Sequence, residues 1–184
     1  SKYQWFIDTV QNDVIEKTGK DPANVPMKIY TTLDTTVQDE LNNAGNTNAY
    51  YKWKNNKEQL SMVVTSVSDG SVVALYGGRN QNGVKQLNRA TLERYQQGST
   101  AKPIVDYGPA IEYNNASPGT YYLDEPMSYS NGQSIKNSDS RYLGMITMRV
   151  ALSRSRNIPA LQAFQSVDKD KIASFVNSLG INYG

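Results

Sequence analysis

The alternation of apolar and polar positions in the first quarter of the chain predicts two helices with a strand between them. Residues 3–17 carry apolar side chains every three to four positions, which predicts an amphipathic helix. Residues 27–33 alternate apolar with polar positions and are rich in β-branched residues, so we expect a strand there. Asp34 or Thr35 can cap a short second helix, and a polar loop is expected over residues 42–48.

Two β-rich runs in the next part of the chain predict a hairpin. Residues 60–67 and 71–76 are joined through Ser68-Asp69-Gly70, in which the Asp-Gly pair favours a tight turn because both residue types tolerate positive φ. A polar segment rich in Asn and Gln follows and extends to residue 98. This hairpin is the strongest local structural signal in the sequence.

A helix is predicted from Ser99 to about Tyr113. Pro103 is compatible with it, because the first-turn amides of a helix have no intrahelical acceptor. Residues 114–144 then contain many turn-forming residues and few helix signals, which predicts a long loop. A loop of that length in a compact domain is usually functional.

Three further helices are expected after that loop. Thr147 can cap the first, a break over residues 157–159 separates it from the second, and Asp168 can cap the third, which Gly180 ends. The order of elements predicts an α+β fold with helices packed on an antiparallel sheet. Two or three strands beside so many helices make a small sheet, so we expect the fold to be incomplete in this chain.

Composition restricts the chemistry that the chain can carry. The 184 residues include no His and no Cys, which excludes a Ser-His-Asp triad, a Cys-His pair and a zinc site of the Cys/His type within the chain. A net charge of +2 without a run of basic residues gives no indication of nucleic-acid binding. No cofactor or metal site is predicted. Any general base must therefore be Lys, Asp, Glu or Tyr.

The tetrad Ser99-Thr100-Ala101-Lys102 is the leading candidate for nucleophilic catalysis. Residues three apart on a helix share a face, so the hydroxyl and the amine can meet. A lysine kept neutral by its surroundings can activate a serine, and free N–H groups at a helix start can stabilise an oxyanion. The pattern alone is weak, since Ser166 and Lys169 form a second copy that straddles a helix cap.

A second candidate motif lies at the break between two predicted helices. Ser155-Arg156-Asn157 is the only Ser-x-Asn in the chain. Its hydroxyl can relay a proton between Lys102 and a leaving group, and the Asn157 amide can bind a substrate amide and the lysine region. A turn between helices that needs these side chains only for its own hydrogen bonds is the alternative.

These motifs and their flanks resemble the class A penicillin-binding proteins of Gram-positive type. The resemblance rests on residues 88–91 and 97–103 before and around Ser99, on residues 146–160 around the Ser-x-Asn motif, and on residues 28–34. The last of these resembles the segment between the glycosyltransferase and transpeptidase domains of that family. Serine–lysine, Ser-x-Asn and Lys-Thr-Gly motifs together are the signature of penicillin-binding proteins and class A β-lactamases.

The resemblance implies a D,D-transpeptidase that cross-links peptidoglycan stem peptides ending in D-Ala-D-Ala. Ser99 would attack the penultimate carbonyl, Lys102 would accept its proton, Ser155 would pass that proton to the leaving D-alanine, and Asn157 would complete the site. β-Lactams would acylate the same serine. The parent protein would also be a peptidoglycan glycosyltransferase, held on the extracytoplasmic face of the cell membrane by a segment that this chain lacks.

One motif of that family is missing. No Lys-Thr-Gly or similar triplet occurs in the chain. We therefore expect residues 1–58 to be the interdomain linker region and residues 59–184 to be the N-terminal part of the transpeptidase domain. A C-terminal fragment of the same domain would carry the triplet and would be a required partner, so the isolated chain is expected to be inactive.

Two alternatives from other functional classes stay open. A serine β-lactamase or D,D-carboxypeptidase would use the same acylation and then hydrolyse the acyl-enzyme. A glutamate serves deacylation in class A β-lactamases, and no Glu follows Glu125. A non-catalytic sensor of cell-wall fragments or β-lactams would keep the fold for binding alone.

Overall fold

The computed structural model describes residues 1–80 and 83–182, which divide into two compact units, Ser1–Tyr95 and Gln96–Gly184. Residues 81 and 82, part of the predicted polar segment, lie outside the described residues. The first unit contains two helices and a hairpin: α1 (Gln4–Thr18), α2 (Thr35–Asn46), β1 (Met62–Thr65) and β2 (Val72–Tyr76).

Both predicted helices of the first unit are confirmed. Gly19 ends α1 in the left-handed conformation, with φ 68°, and the Asp34 side chain caps α2 by accepting from the N–H groups of Thr36 and Val37. The prediction of a loop over residues 42–48 is wrong, because α2 continues to Asn46.

Packing explains this extension of α2. Gly45 is buried so closely under the Tyr76 ring that a Cβ there would lie 2.1 Å from it. The Tyr76 hydroxyl donates to Asn46 Oδ1 at 2.7 Å, which fixes the last turn of the helix. Contacts with the hairpin thus outweigh the low helix propensity of the Asn- and Gly-rich sequence.

The strand predicted over residues 27–33 is not formed. The segment runs beside β2, where the Thr32 hydroxyl donates to the Val72 carbonyl at 2.6 Å and the Asp34 N–H donates to the Val73 carbonyl at 2.9 Å, but no ladder of backbone hydrogen bonds forms among the described residues. The apolar side chains Ile29 and Leu33 instead line a groove against α1. The alternating pattern reflects packing on a helix.

The predicted hairpin is confirmed, but its turn is longer than expected. β1 and β2 pair antiparallel, with an irregularity between Val64 and Thr65. The connection extends from Ser66 to Ser71 and is closed by the Ser66 N–H, which donates to the Ser71 carbonyl at 2.8 Å. Gly70 adopts positive φ, 74°, whereas Asp69 accepts a hydrogen bond from the Ser71 N–H.

The second unit begins with one continuous helical segment of changing pitch, which confirms the helix predicted from Ser99. We call Gly98–Asn114 the Ser99 helix; it consists of a 3₁₀ turn (Gly98–Ala101), a π-helical turn (Lys102–Tyr107) and α3 (Gly108–Asn114). The other elements are β3 (Tyr121–Asp124), β4 (Met127–Ser128), β5 (Ser134–Ile135), β6 (Gly144–Thr147), α4 (Met148–Ser153), α5 (Asn157–Gln165) and α6 (Lys169–Ser178).

The prediction of one long loop over residues 114–144 is wrong, because this segment is partly strand. It contains β3, β4 and β5, and β3 pairs antiparallel with β6 while β4 pairs with β5. These strands have two to four residues each, too few for an alternating pattern to be visible in the sequence. Their pairing brings Asp124, at the end of β3, into the protein interior, where it is 0 % exposed.

The three predicted C-terminal helices are confirmed, but the break predicted over residues 157–159 is wrong. It lies at residues 154–156, where Ser155 adopts positive φ, and α5 begins at Asn157. Thr147 and Asp168 cap α4 and α6, and Pro159 lies in the first turn of α5. Together with the Ser99 helix they enclose a core that includes Tyr107, Ala151 and Ala163. The α+β prediction is confirmed, although the described strands form three separate two-stranded antiparallel sheets.

Candidate active site

The Ser99 helix begins with backbone conformations that let another molecule come close to the chain. Gly98 has φ 56°, so the chain enters the helix through a left-handed residue. The following 3₁₀ turn leaves the exposed Ser99 at the helix start, and the π-helical turn begins at Lys102. π-Turns inside helices are rare and occur frequently at functional sites.

Lys102 lies at the centre of a compact polar cluster and is only 8 % exposed. Its Nζ donates to the Ser155 carbonyl oxygen at 2.7 Å, to Ser155 Oγ at 3.1 Å and to Asn157 Oδ1 at 2.7 Å. Three of the four residues predicted from the sequence are therefore brought together. The structure links the Ser-x-Asn motif to the lysine of the first motif.

These three contacts match the three N–H bonds of an ammonium group. A neutral amine fits the same place if the hydroxyl of Ser155 reverses and donates to the nitrogen lone pair, since a serine hydroxyl both donates and accepts. Lys102 and Ser155 can thus exchange a proton without moving a heavy atom.

Ser99 is not joined to this cluster by a hydrogen bond in the described part of the chain. Its hydroxyl lies one helical turn before Lys102 on an exposed surface. Catalytic hydrogen bonds are often long in unliganded sites and tighten when substrate binds.

Ser155 adopts a backbone conformation that non-glycine residues rarely have. Its φ is 51°, between the end of α4 and the start of α5. The Arg156 N–H donates to the Ala151 carbonyl at 2.9 Å, which closes the end of α4 around this residue. Such local strain persists where surrounding contacts enforce it, and it is concentrated at functional sites. Here it directs the Ser155 carbonyl at Lys102.

Arg156 faces the interior, where its side chain is 4 % exposed. Its Nε donates to Asp124 at 2.8 Å, and one terminal nitrogen donates to both carboxylate oxygens of Asp139 at 3.0 Å. The other terminal nitrogen donates to the Arg141 carbonyl. The sequence could not show this orientation, because the acidic partners lie in the stretch that was predicted as a loop.

Burial sets the charge balance around Lys102. Desolvation lowers the pKa of Lys102; the Asp106 carboxylate partly opposes this effect and the Arg156 guanidinium adds to it. Asp106 lies four residues along the same helix, and burial raises its pKa to about 6, with Lys102 opposing the rise. A lowered lysine pKa increases the fraction of neutral amine, the form that can accept a proton.

Asp106 was missed by the sequence analysis although its signal was present. Residues four apart on a helix are neighbours, so an acid four positions after Lys102 was a candidate partner. Both side chains line a cavity of about 500 Å³, together with Lys136 and Asn157. The polar cluster is therefore open to a ligand on one side.

The second Ser-x-x-Lys copy has no comparable surroundings. Ser166 Oγ donates to the Ala163 carbonyl at 2.7 Å and accepts from Asn114 Nδ2 at 3.2 Å. Lys169 is exposed. This copy straddles the cap of α6 at Asp168, as the sequence analysis expected, and lies at the junction between α5 and α6.

Comparison with known proteins identifies the family. Residues 60–183 match the model of the penicillin-binding protein transpeptidase domain. The chain therefore belongs to the penicillin-binding protein transpeptidase family. Within that family it corresponds to part of the transpeptidase domain of class A proteins of the 1A/1B type.

Two curated relatives and one solved structure illustrate this membership. The chain is 43% identical over 183 residues to penicillin-binding protein 1A/1B of Bacillus subtilis, covering 98% of the chain and 20% of that protein. It is 34% identical over 182 residues to penicillin-binding protein 1A of Streptococcus oralis, covering 97% and 29%. The solved structure of the PonA1 protein from Mycobacterium tuberculosis in complex with penicillin V superposes with a TM-score of 0.79 at 22% identity, covering 99% of this chain and 48% of the solved chain.

The chain thus spans about a fifth to three tenths of the length of these two curated relatives. The similarity to PonA1 concerns the fold. Among residues 1–80 and 83–182, no helix combines the length and the apolar character needed to cross a membrane.

Proposed function

We propose that this chain forms part of a D,D-transpeptidase that cross-links peptidoglycan stem peptides through an acyl-enzyme on Ser99. The supporting observation is the convergence of Lys102 with Ser155 and Asn157 at 2.7–3.1 Å, one helical turn from the Ser99 hydroxyl. No other serine–lysine pair in the described residues has this environment. Membership of the transpeptidase family supports the same reaction class.

In the proposed reaction Ser99 Oγ attacks the carbonyl carbon of the penultimate D-Ala, and the proton of its hydroxyl passes to neutral Lys102 Nζ. The tetrahedral intermediate collapses, the peptide C–N bond breaks, and the leaving nitrogen of the terminal D-Ala takes the proton from Lys102 through the Ser155 hydroxyl. An amine from a neighbouring stem peptide then attacks the ester carbonyl, the bond between that carbon and Ser99 Oγ breaks, and the proton lost by the amine passes through Lys102 to Ser99 Oγ. A β-lactam would acylate Ser99 by opening its ring amide.

Other parts of the proposal concern the protein that carries this chain. A C-terminal segment of the domain with a Lys-Thr-Gly-type motif would complete the site, residues 1–58 would be the linker region and residues 59–184 the N-terminal part of the domain. The parent protein would also carry a glycosyltransferase domain and a membrane anchor on the extracytoplasmic side. These features are expected from the family resemblance.

Mass spectrometry of the complete protein after penicillin treatment tests the nucleophile. We expect one covalent penicilloyl adduct, located on Ser99 by peptide mapping, and none in Ser99→Ala. Ser166→Ala is the matched control, because it removes the serine of the second Ser-x-x-Lys copy and should leave the adduct in place. An adduct that survives Ser99→Ala, or no adduct on the folded protein, contradicts the proposal.

The fate of the acyl-enzyme separates the alternatives. With a donor peptide ending in D-Ala-D-Ala and an acceptor amine, a transpeptidase forms the cross-linked product. Release of the free acid alone, in the presence of the amine, would indicate a carboxypeptidase. Rapid hydrolysis of the penicilloyl ester on Ser99 would indicate a β-lactamase. A stable adduct with no turnover of the peptide would indicate a sensor.

A further inference from the structure

A buried hydrogen-bonded set lies directly behind the Ser-x-Asn motif. Asn137 is 3 % exposed and lies just after β5. Its Oδ1 accepts from the Asn157 N–H at 2.7 Å, and its Nδ2 donates to Asp124 Oδ1 at 2.7 Å and to the Arg141 carbonyl at 2.9 Å. Both N–H bonds of this amide and one of the two lone pairs of its oxygen are thus used in hydrogen bonds, which fix the orientation of the side chain.

Asp124 connects this amide to the arginine of the motif. Its second oxygen accepts from Arg156 Nε at 2.8 Å and from the Leu143 N–H at 3.0 Å. The carboxylate is 0 % exposed. Buried networks of this kind are rigid when every member has its partners.

The set acts on the site from two directions. Arg156 anchors the residue between Ser155 and Asn157, and Asn137 holds the backbone N–H at the first residue of α5. The Asn157 side chain is held separately, since its Nδ2 donates to the Lys136 carbonyl at 2.7 Å and its Oδ1 accepts from Lys102. Both residues of the motif that Lys102 contacts, Ser155 and Asn157, are therefore held in place from the side opposite Lys102.

We propose that Asn137 and Asp124 are positioning residues, which act through Arg156 and Asn157 to aim the Lys102 amine for proton transfer. They touch no reacting atom. Their effect is to hold Ser155 in its left-handed conformation and Asn157 at the start of α5, so that the acceptors of Lys102 are in place before substrate arrives. Preorganised polar groups of this kind contribute to the rate of the chemical step.

The proposal rests on Ser99 being the acylated nucleophile, and it predicts which kinetic constant changes. Without Asn137 the acceptors of Lys102 lose their support while the open side of the cavity is unaltered. We therefore expect Asn137→Ala to lower the first-order acylation constant of a fluorescent penicillin by about 10- to 100-fold. The dissociation constant of the preceding non-covalent complex should change by less than about threefold.

Two further variants make the test independent of a single substitution. Asp124→Asn is isosteric, breaks the contact with Asn137 and leaves Arg156 paired with Asp139, so it should lower the same constant in the same direction. Asn131→Ala is the matched control, because Asn131 occupies an exposed turn between β4 and β5 and accepts only from the Gln133 N–H among the described residues. It should leave both constants within about twofold of the unsubstituted protein.

The experiment is stopped-flow acylation of the complete protein over a range of penicillin concentrations, with the fraction of acylated molecules measured at the end point. A merely structural role would lower that fraction or the melting temperature and leave the rate constant of the folded molecules unchanged. Unchanged rate constants in both Asn137→Ala and Asp124→Asn would overturn this inference alone. Absence of acylation in the unsubstituted protein would overturn the proposed function, and this inference with it.

Discussion

Replacing Asp106 by Asn should stabilise the protein, and the gain should increase with pH. Asp106 lies in the π-helical turn four residues after Lys102, and burial raises its pKa from 3.8 to about 6. Between these two values the folded protein holds a proton that the unfolded chain has released. The free energy of unfolding of the unsubstituted protein should therefore fall as pH rises through this window.

The size of this change in the free energy of unfolding follows from the shift in the pKa of Asp106. The rise from 3.8 to about 6 is about two pKa units, or about 3 kcal/mol when the carboxyl is ionised in both states. At pH 8 the whole effect is present, and at pH 4 only about 0.5 kcal/mol of it is. The pKa of about 6 already includes the attraction of the carboxylate to Lys102. Because Asn does not titrate, we expect the gain in Asp106→Asn to be larger at pH 8 than at pH 4 by about 2.5 kcal/mol.

Urea unfolding of the transpeptidase domain at both pH values measures this difference. Glu112→Gln is the control, since it neutralises an exposed carboxylate in α3, the next part of the same helix, and should alter stability equally at both pH values to within about 0.5 kcal/mol. If Asp106→Asn is no more stable than the unsubstituted protein at pH 8, or is stabilised equally at pH 4 and pH 8, the conclusion that burial raises the pKa of the Asp106 carboxyl is refuted.

Two other substitutions test the backbone of the site. Gly108→Ala should lower the free energy of unfolding by about 1–2 kcal/mol, because a Cβ there would lie 2.8 Å from the Pro103 carbonyl and 3.0 Å from the Phe175 ring. Gly119→Ala, where a Cβ would make only an ordinary contact with Ser117 Oγ at 3.6 Å, should change it by less than about 0.5 kcal/mol. Equal melting curves for both variants would contradict this. Ser155→Gly should be more stable than Ser155→Ala by about 1 kcal/mol, because glycine adopts positive φ without strain, while both variants acylate slowly without the hydroxyl. Urea midpoints and acylation rates check this pair, and an equally stable Ala variant would show that the conformation is not strained.

Local signals in the sequence predicted most of the helices correctly. Asp34, Thr147 and Asp168 each cap a helix through contacts confined to two or three residues along the chain, so the pattern contains the whole cause. The hairpin over residues 62–76 is likewise a local feature.

The errors arose where distant residues decide the structure. Contact with Tyr76 extends α2 to Asn46, into the polar stretch that suggested a loop. In residues 27–33, which suggested a strand, Ile29 and Leu33 line a groove with residues of α1. The strands at residues 121–135 are too short to show a period.

In the candidate site too, residues in local motifs were predicted and residues brought in by distant pairing were not. Lys102, Ser155 and Asn157 were predicted from motifs, and the structure brings them into contact. Asn137 and Asp124 carry no motif, because their role depends on a pairing of β3 with β6 that no short pattern encodes. Ser99 was also predicted from a motif, and its role as the nucleophile stays a prediction because no hydrogen bond joins its hydroxyl to Lys102 in the described part of the chain.

The π-helical turn makes the number of residues between Lys102 and Tyr107 a fixed quantity. Gly108 donates its N–H to the Pro103 carbonyl, five residues back instead of four. Each residue of a helix turns the chain by about 100°, so deleting one residue here would restore a regular helix and rotate the serine–lysine face by that angle against the Tyr107 face in the core. Substitutions between Lys102 and Tyr107 can be tolerated, whereas an insertion or a deletion there should disrupt the site. When variants of this domain are aligned, the length of this stretch is therefore a better guide than its composition.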